Sequence, residues 1–315
     1  MTLYCALDQQ FSQPLLDAFC AEAGIDVRAR FDSEASKTVG LFSAIVEEQS
    51  RPRCDVFWNN EIAHTVLLAQ KGLLEPYAPP SAADVPARWR DARNRWFAFG
   101  ARARILVVNT EVLPDRASWP AGIRDFADPK WKGRCAIARP LTGTTLTHFT
   151  ALRKRLGEDE FEKLFEGMIA NEVRFLQSNG ATLNETAAGN VAFAFTDTDD
   201  YNEARRLGKP VACVFPDQEE GGLGAMLIPN SVAVIHNGPH AEAARKLCDF
   251  ILRRSTEAAL ARGPGAQIPL RAGIPGPEDP SIPGVGGFRA MDWDVEWTAA
   301  HLAESAKAFA ARFGL

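Results

Sequence analysis

Over its first hundred residues the chain alternates short apolar runs with segments of helical spacing, and few folds accept that order. Residues 3–7, 25–31 and 54–58 read as strands, and residues 12–23, 37–49 and 61–71 as helices. The first helix places Leu15, Leu16, Phe19 and Cys20 on one face, and the second does the same with Leu41, Phe42, Ile45 and Val46. Gly24 and Gly72 stand where helices end. Strand and helix alternating in this way predict a parallel, doubly wound sheet with right-handed crossovers.

A Pro-rich segment, residues 76–86, separates this unit from a second one. Strands are predicted at 96–100, 104–108, 134–138, 173–176, 191–195 and 211–215, and helices at 145–155 and 158–170. After the spacer Gly221-Gly-Leu-Gly224 come a strand-like run at 226–235 containing Pro229 and an amphipathic helix at 241–253. A Pro/Gly-rich stretch then leads to a C-terminal helix with Asp294 as N-cap. Two α/β units joined by crossing segments imply a cleft between them.

The chain has 315 residues, enough for two such units. Its net charge of −5 argues against nucleic acid as a partner, since phosphate backbones need a basic face. No stretch approaches the roughly 18 consecutive apolar residues of a membrane span. Six cysteines, at 5, 20, 54, 135, 213 and 248, show no Cys-x-x-Cys spacing and read as buried free thiols, with one disulfide an alternative in an oxidising compartment. A nucleophile elbow, a phosphate-binding P-loop, a His-Glu-x-x-His motif and a dinucleotide fingerprint after the first strand are all missing, so binding is expected rather than catalysis.

The chemistry concentrates at Thr196-Asp-Thr-Asp-Asp-Tyr201, directly after an apolar strand. In α/β sheets ligands bind beyond the carboxyl ends of strands. Asp197, Asp199 and Asp200 there repel one another unless a cation, hydroxyl, amine or helix N-terminus meets them. A plain helix cap, with Asp197 or Thr198 capping, is the simpler reading, and it is compatible with a ligand site at the same helix end. Thr142, Gly143, Thr144 and Thr145 precede a helix and form a second candidate, an anion cradle of N–H and hydroxyl groups. Arg102 and Arg104 alternate onto one side of their strand, so if one faces the cleft the other should too. Asp32-Ser-Glu-Ala-Ser-Lys-Thr38 leads into a helix at a strand end, with Ser36 and Thr38 as ligand contacts and Glu34 or Lys37 as gate residues, and Trp58 and Asn59 end a strand as a wall for an organic ligand.

Several motifs occur in a consistent order: Cys54-Asp-Val-Phe-Trp-Asn-Asn-Glu61, Gly72-Leu-Leu-Glu-Pro-Tyr77, Asp128-Pro-Lys-Trp-Lys-Gly-Arg134, Arg139-Pro-Leu-Thr-Gly-Thr-Thr145, Ile228-Pro-Asn-Ser-Val-Ala233 and Gln267-Ile-Pro-Leu270. Together they resemble the solute-binding proteins of bacterial ABC importers, in the branch containing the ferric-iron-binding proteins. The resemblance implies a two-lobed type II periplasmic-binding-protein fold, each lobe a doubly wound mixed sheet, with hinge closure around the ligand. It implies lobes of residues 1–103 plus 226–275 and 104–225 plus 276–315. It also implies a monomer, a membrane permease as partner, and a periplasmic or extracellular mature form without its export signal. No resident cofactor is expected; Fe³⁺ with an anion would be cargo. Set against the relatives' paired tyrosine ligands, this chain offers Asp199 and Asp200, with Tyr201 one place later, and Asp8 and Asn60 stand where a histidine and a glutamate are usual. Asn179 matches an asparagine near the relatives' anion. Carboxylates could hold Fe³⁺ or another hard cation, or accept from an amine or polyol of an organic phosphate or phosphonate. A two-lobed enzyme such as a transferase is the rival from another class, and no nucleophile–base pair supports it.

Overall fold

The computed structural model describes residues 1–32 and 39–315. The first lobe opens as the alternation predicts: β1 (Thr2–Cys5), α1 (Gln9–Ala23), β2 (Arg28–Phe31), α2 (Val39–Glu47), β3 (Val56–Asn59) and α3 (Ile62–Gln70). β1 lies between β2 and β3 and is parallel to both. All four residues of β3 are buried, because helices cover both faces of the sheet.

The expected strands at 96–100 and 104–108 are one strand, β4 (Phe97–Asn109), buried along its whole length. Small residues at 98, 100, 101 and 103 let it run through the middle of the molecule. Gly100 sits at φ +39, where the register shifts between Phe99 and Ala101. Opposite lies Pro229 of β9 (Leu227–Val234), and the Ala101 amide donates instead to the Ile268 carbonyl. A bulge is the place a sheet interior accepts proline.

β4 joins the two halves. Its residues from Phe97 to Ala103 pair with β9, which pairs in turn with β3. Its residues from Arg104 to Asn109 pair with β7 (Phe193–Asp197) and β8 (Val211–Val214). β5 (Cys135–Ala138) lies between β7 and β6 (Arg174–Leu176), parallel to both. The strand order is β2-β1-β3-β9-β4-β7-β5-β6, with β8 on the far side of β4.

Around the second half lie α4 (Gly143–Leu156), α5 (Glu158–Ala170), α6 (Asn179–Ala187) and α7 (Thr198–Arg206). α6 is absent from the sequence reading, where Ser178-Asn-Gly180 resembles a turn. Its start is fixed by the Ser178 hydroxyl, which accepts from the Ala181 amide. The helix predicted at 241–253 is α8 (Ala241–Ile251); a further helix, α9 (Arg254–Arg262), absent from the sequence reading, follows after Arg253 turns extended. α10 (Val295–Arg312) is capped by Asp294 as expected, its carboxylate accepting from the Trp297 amide. It touches both halves: Gln70 of α3 donates to Glu296, and Arg153 of α4 donates to Ser305. All six cysteines are free thiols, four of them buried.

Candidate functional site

Helices α1, α4, α6 and α7 all begin on one cavity. Each follows the carboxyl end of a strand, so four positive helix ends face a common space. The cavity measures about 60 Å³, room for a few waters. Its wall includes Asp8, Asn60, Arg102, Thr142, Gly143, Thr144, Thr145, Asn179, Asp197, Asp199 and Asp200. Strand parity and helix starts thus bring together most of the candidates that were scattered along the sequence.

Behind the second-lobe wall lies a set of hydrogen bonds around Arg104, which is fully buried and, unlike Arg102, does not itself line the cavity. Arg104 Nη1 donates to Asp197 Oδ1 at 2.7 Å and to Thr144 Oγ1 at 3.2 Å, and Nη2 donates to Thr145 Oγ1 at 3.1 Å. The Thr144 hydroxyl donates to Asp197 Oδ2 at 2.9 Å, and Asn179 Nδ2 reaches the same carboxylate oxygen at 3.1 Å. The guanidinium lies 4.5 Å over the Phe195 ring. Burial opposes charge on Asp197, but Arg104 and Arg102, with hydrogen bonds from Arg104 and Thr144, hold it below the usual carboxylate range. On the far side of this network His148 is pushed well below the usual imidazole value, first by burial and then by Arg104.

Arg102 links the walls. Its Nη1 lies 3.3 Å from Asp199 Oδ2 and 3.9 Å from Asp197 Oδ2, while Nη2 donates to the Asn60 carbonyl at 2.6 Å. Burial lowers its affinity for the proton, but Asp199, Asp197 and Asp8 outweigh this and raise it above the ordinary guanidinium value. Asp200 accepts from the Thr196 hydroxyl at 2.5 Å. Carboxylate oxygens of Asp197, Asp199 and Asp200 all lie within 4.8 Å of one another, a spacing that could hold a cation.

The α4 end differs from an ordinary cap. Thr142 occupies the N-cap position, and its side chain does not cap. Gly143 adopts φ +58, and a Cβ built there meets nothing within 4 Å. The first turn of α4 therefore presents its amides toward the cavity beside the Thr144 and Thr145 hydroxyls. Asp8 and Asp197 stand at the N-cap positions of α1 and α7, and neither caps through its side chain.

Three expected residues lie elsewhere. Trp58 is fully buried between sheet and helices, its Nε1 facing Asn230 Oδ1 at 3.4 Å. Asn59 is also fully buried and donates to Glu61 and Thr65. Both belong to β3, whose two faces are covered, so neither becomes a cavity wall. Tyr201 turns away on α7, its hydroxyl 2.9 Å from Ser281 Oγ. Ser36, Thr38, Glu34 and Lys37 lie outside the described residues. The wall also contains Arg139 and Gln177, which the sequence reading did not single out. Their signal is position: each directly follows the end of a strand, β5 or β6.

A family model described as bacterial extracellular solute-binding protein matches residues 65–295. Iron uptake protein A1 of Synechocystis sp. is 25% identical, with 98% of this chain and 85% of that protein covered. The major ferric iron-binding protein of Neisseria meningitidis is also 25% identical, over 82% and 78% of the two chains. Among solved structures, iron-bound HitA from Pseudomonas aeruginosa superposes with a TM-score of 0.86 at 23% identity, covering 98% of each chain. AfuA from Actinobacillus pleuropneumoniae, with fructose-6-phosphate bound, gives 0.83 at 18% identity, covering 100% and 98%. No helix among the described residues is long and apolar enough to cross a membrane. With its two-lobed fold and its cavity at the strand ends, the chain belongs to the bacterial extracellular solute-binding proteins of ABC importers, in the branch that contains the ferric-iron-binding proteins.

Proposed function

We propose that the protein captures a small organic solute bearing an oxyanion group, such as a phosphate or phosphonate, and delivers it from the periplasm or cell exterior to an ABC permease. The observation that carries this reading is the α4 terminus: Thr142 leaves the helix uncapped, Gly143 opens the approach, and the Thr144 and Thr145 hydroxyls flank it. The solute's anion sits there. Its hydroxyl or amine groups meet Asp199 and Asp200, with Asp8 and Asn60 closing from the first lobe. The protein works as a monomer, by binding and hinge closure, with no bond made or broken in the solute.

A second reading, Fe³⁺ with a synergistic anion, is favoured by the three carboxylates within 4.8 Å and by the names of the relatives. Against it, Asp197 is already taken up by Arg104, Thr144 and Asn179, and none of the chain's three tyrosines lines the cavity. Isothermal titration separates the two. Binding of a phosphonate or sugar phosphate without added metal supports the first. Binding that requires Fe³⁺ overturns it.

A further inference from the structure

Behind the cavity one hydrogen bond crosses between the lobes without facing the solute. Glu61, fully buried, follows β3 and caps α3: Oε2 accepts from the Ala63 amide at 3.0 Å and Oε1 from the His64 amide at 2.9 Å. His64 Nδ1 lies 2.5 Å from Oε1. The remaining reach of Oε2 goes to the other lobe, where it accepts from the Thr147 hydroxyl of α4 at 2.9 Å. Thr147 is fully buried as well.

The Thr147 hydroxyl has one proton and two acceptors. The second is the Gly143 carbonyl of its own helix, at 3.3 Å. With the lobes together, the proton goes to a carboxylate, the stronger acceptor. With the lobes apart, it can return to the helix backbone, a bond open to any helical threonine. Thr147 thus has a satisfied partner in either state, while Glu61 keeps its α3 amides and His64. The helix that carries this hydroxyl also begins at the cavity with Gly143. A solute seated on the α4 terminus and the bond to Glu61 therefore pull the same rigid element toward the first lobe.

We infer that Glu61 and Thr147 form an interlobe latch that positions α4 for binding by favouring the closed state, although neither lines the cavity. This rests on the reading of the cavity as a solute site that closes by a hinge. A closed state favoured in advance raises apparent affinity, because the competent fraction of the free protein is larger.

The test compares full-length wild type, Thr147→Val and Thr147→Ser without ligand by small-angle X-ray scattering. Valine keeps the shape and removes the hydroxyl; serine restores it. Thr147→Val is expected to scatter as a more open particle, with Thr147→Ser matching wild type. Identical scattering from all three would overturn the latch. Glu61→Gln, which keeps an acceptor for α3 but loses the charge, is expected to open partway and serves if the valine variant fails to fold. Titration with inorganic phosphate is expected to give on the order of tenfold weaker binding by Thr147→Val and recovery with Thr147→Ser. If wild type does not bind phosphate, the anion reading of the cavity falls, while the scattering comparison still decides the latch.

Discussion

The two walls of the cavity are built differently. On the second-lobe side Arg104, Thr144, Thr145, Asn179 and Asp197 bind one another, so the wall is shaped before any solute arrives. On the first-lobe side Asp8 and Asn60 stand just beyond the ends of β1 and β3, and the Asn60 carbonyl is tied across by Arg102. A wired wall holds geometry that is ready for the solute, and the opposite wall completes it on closing. Stability should therefore depend on the first wall and affinity on both.

The largest effect is expected from Arg104→Met. It leaves Asp197 buried with its main partner removed, and breaking such a pair costs about 3–5 kcal/mol. Urea unfolding measures the loss; a variant as stable as wild type would show that the wall does not need its ion pair. The pH dependence follows with its sign fixed. Asp197 has a depressed folded pKa, so its contribution is present above the unfolded carboxylate value near pH 4 and is lost as pH falls through the folded value. Unfolding midpoints followed below pH 4 should fall more steeply for wild type than for Asp197→Asn.

Gly143→Ala should cost about 1 kcal/mol, since alanine pays for φ +58 while its methyl meets nothing. Its effect on titrated affinity should exceed that on stability, because the amides at the helix start shift. Asp8→Asn should lower affinity by roughly tenfold with stability changed by less than about 0.5 kcal/mol, the mark of a first-lobe residue that serves the solute. Equal losses in both quantities would erase the distinction between the walls. Least of all, Arg312→Ala removes ion pairs to Glu162 and Glu166 on the surface and should change stability by less than about 1 kcal/mol, with binding untouched.

Much of this arrangement could be read from the chain. The alternation of the first hundred residues predicts the first-lobe sheet, and Thr142-Gly-Thr-Thr145 and the aspartates at the end of β7 point to two strand ends that meet at the cavity. Trp58, Asn59, Tyr201 and α6 depart from that reading for physical reasons. A strand's parity tells which side a residue faces, but β3 is covered on both sides, so the sides of Trp58 and Asn59 both lead into the core. On α7 each residue advances the side chain by about 100°. Asp199 and Asp200 therefore reach the cavity while Tyr201 swings toward Ser281. α6 begins with Asn179-Gly180, residues that favour turns, and it is set by one serine cap and by packing on β7. The pairing of Arg104 with Asp197 spans 93 positions and depends on the register of β4 against β7, which no local pattern encodes.

Native mass spectrometry of the protein equilibrated with a mixture of 2-aminoethylphosphonate, a sugar phosphate and ferric citrate tests whether the uncapped end of α4 receives the oxyanion of an organic solute. A single non-covalent adduct with the mass of a phosphorus-bearing organic solute, weakened in Gly143→Ala, is expected. An adduct of iron, or no adduct at all, would rule out an organic oxyanion at the α4 terminus.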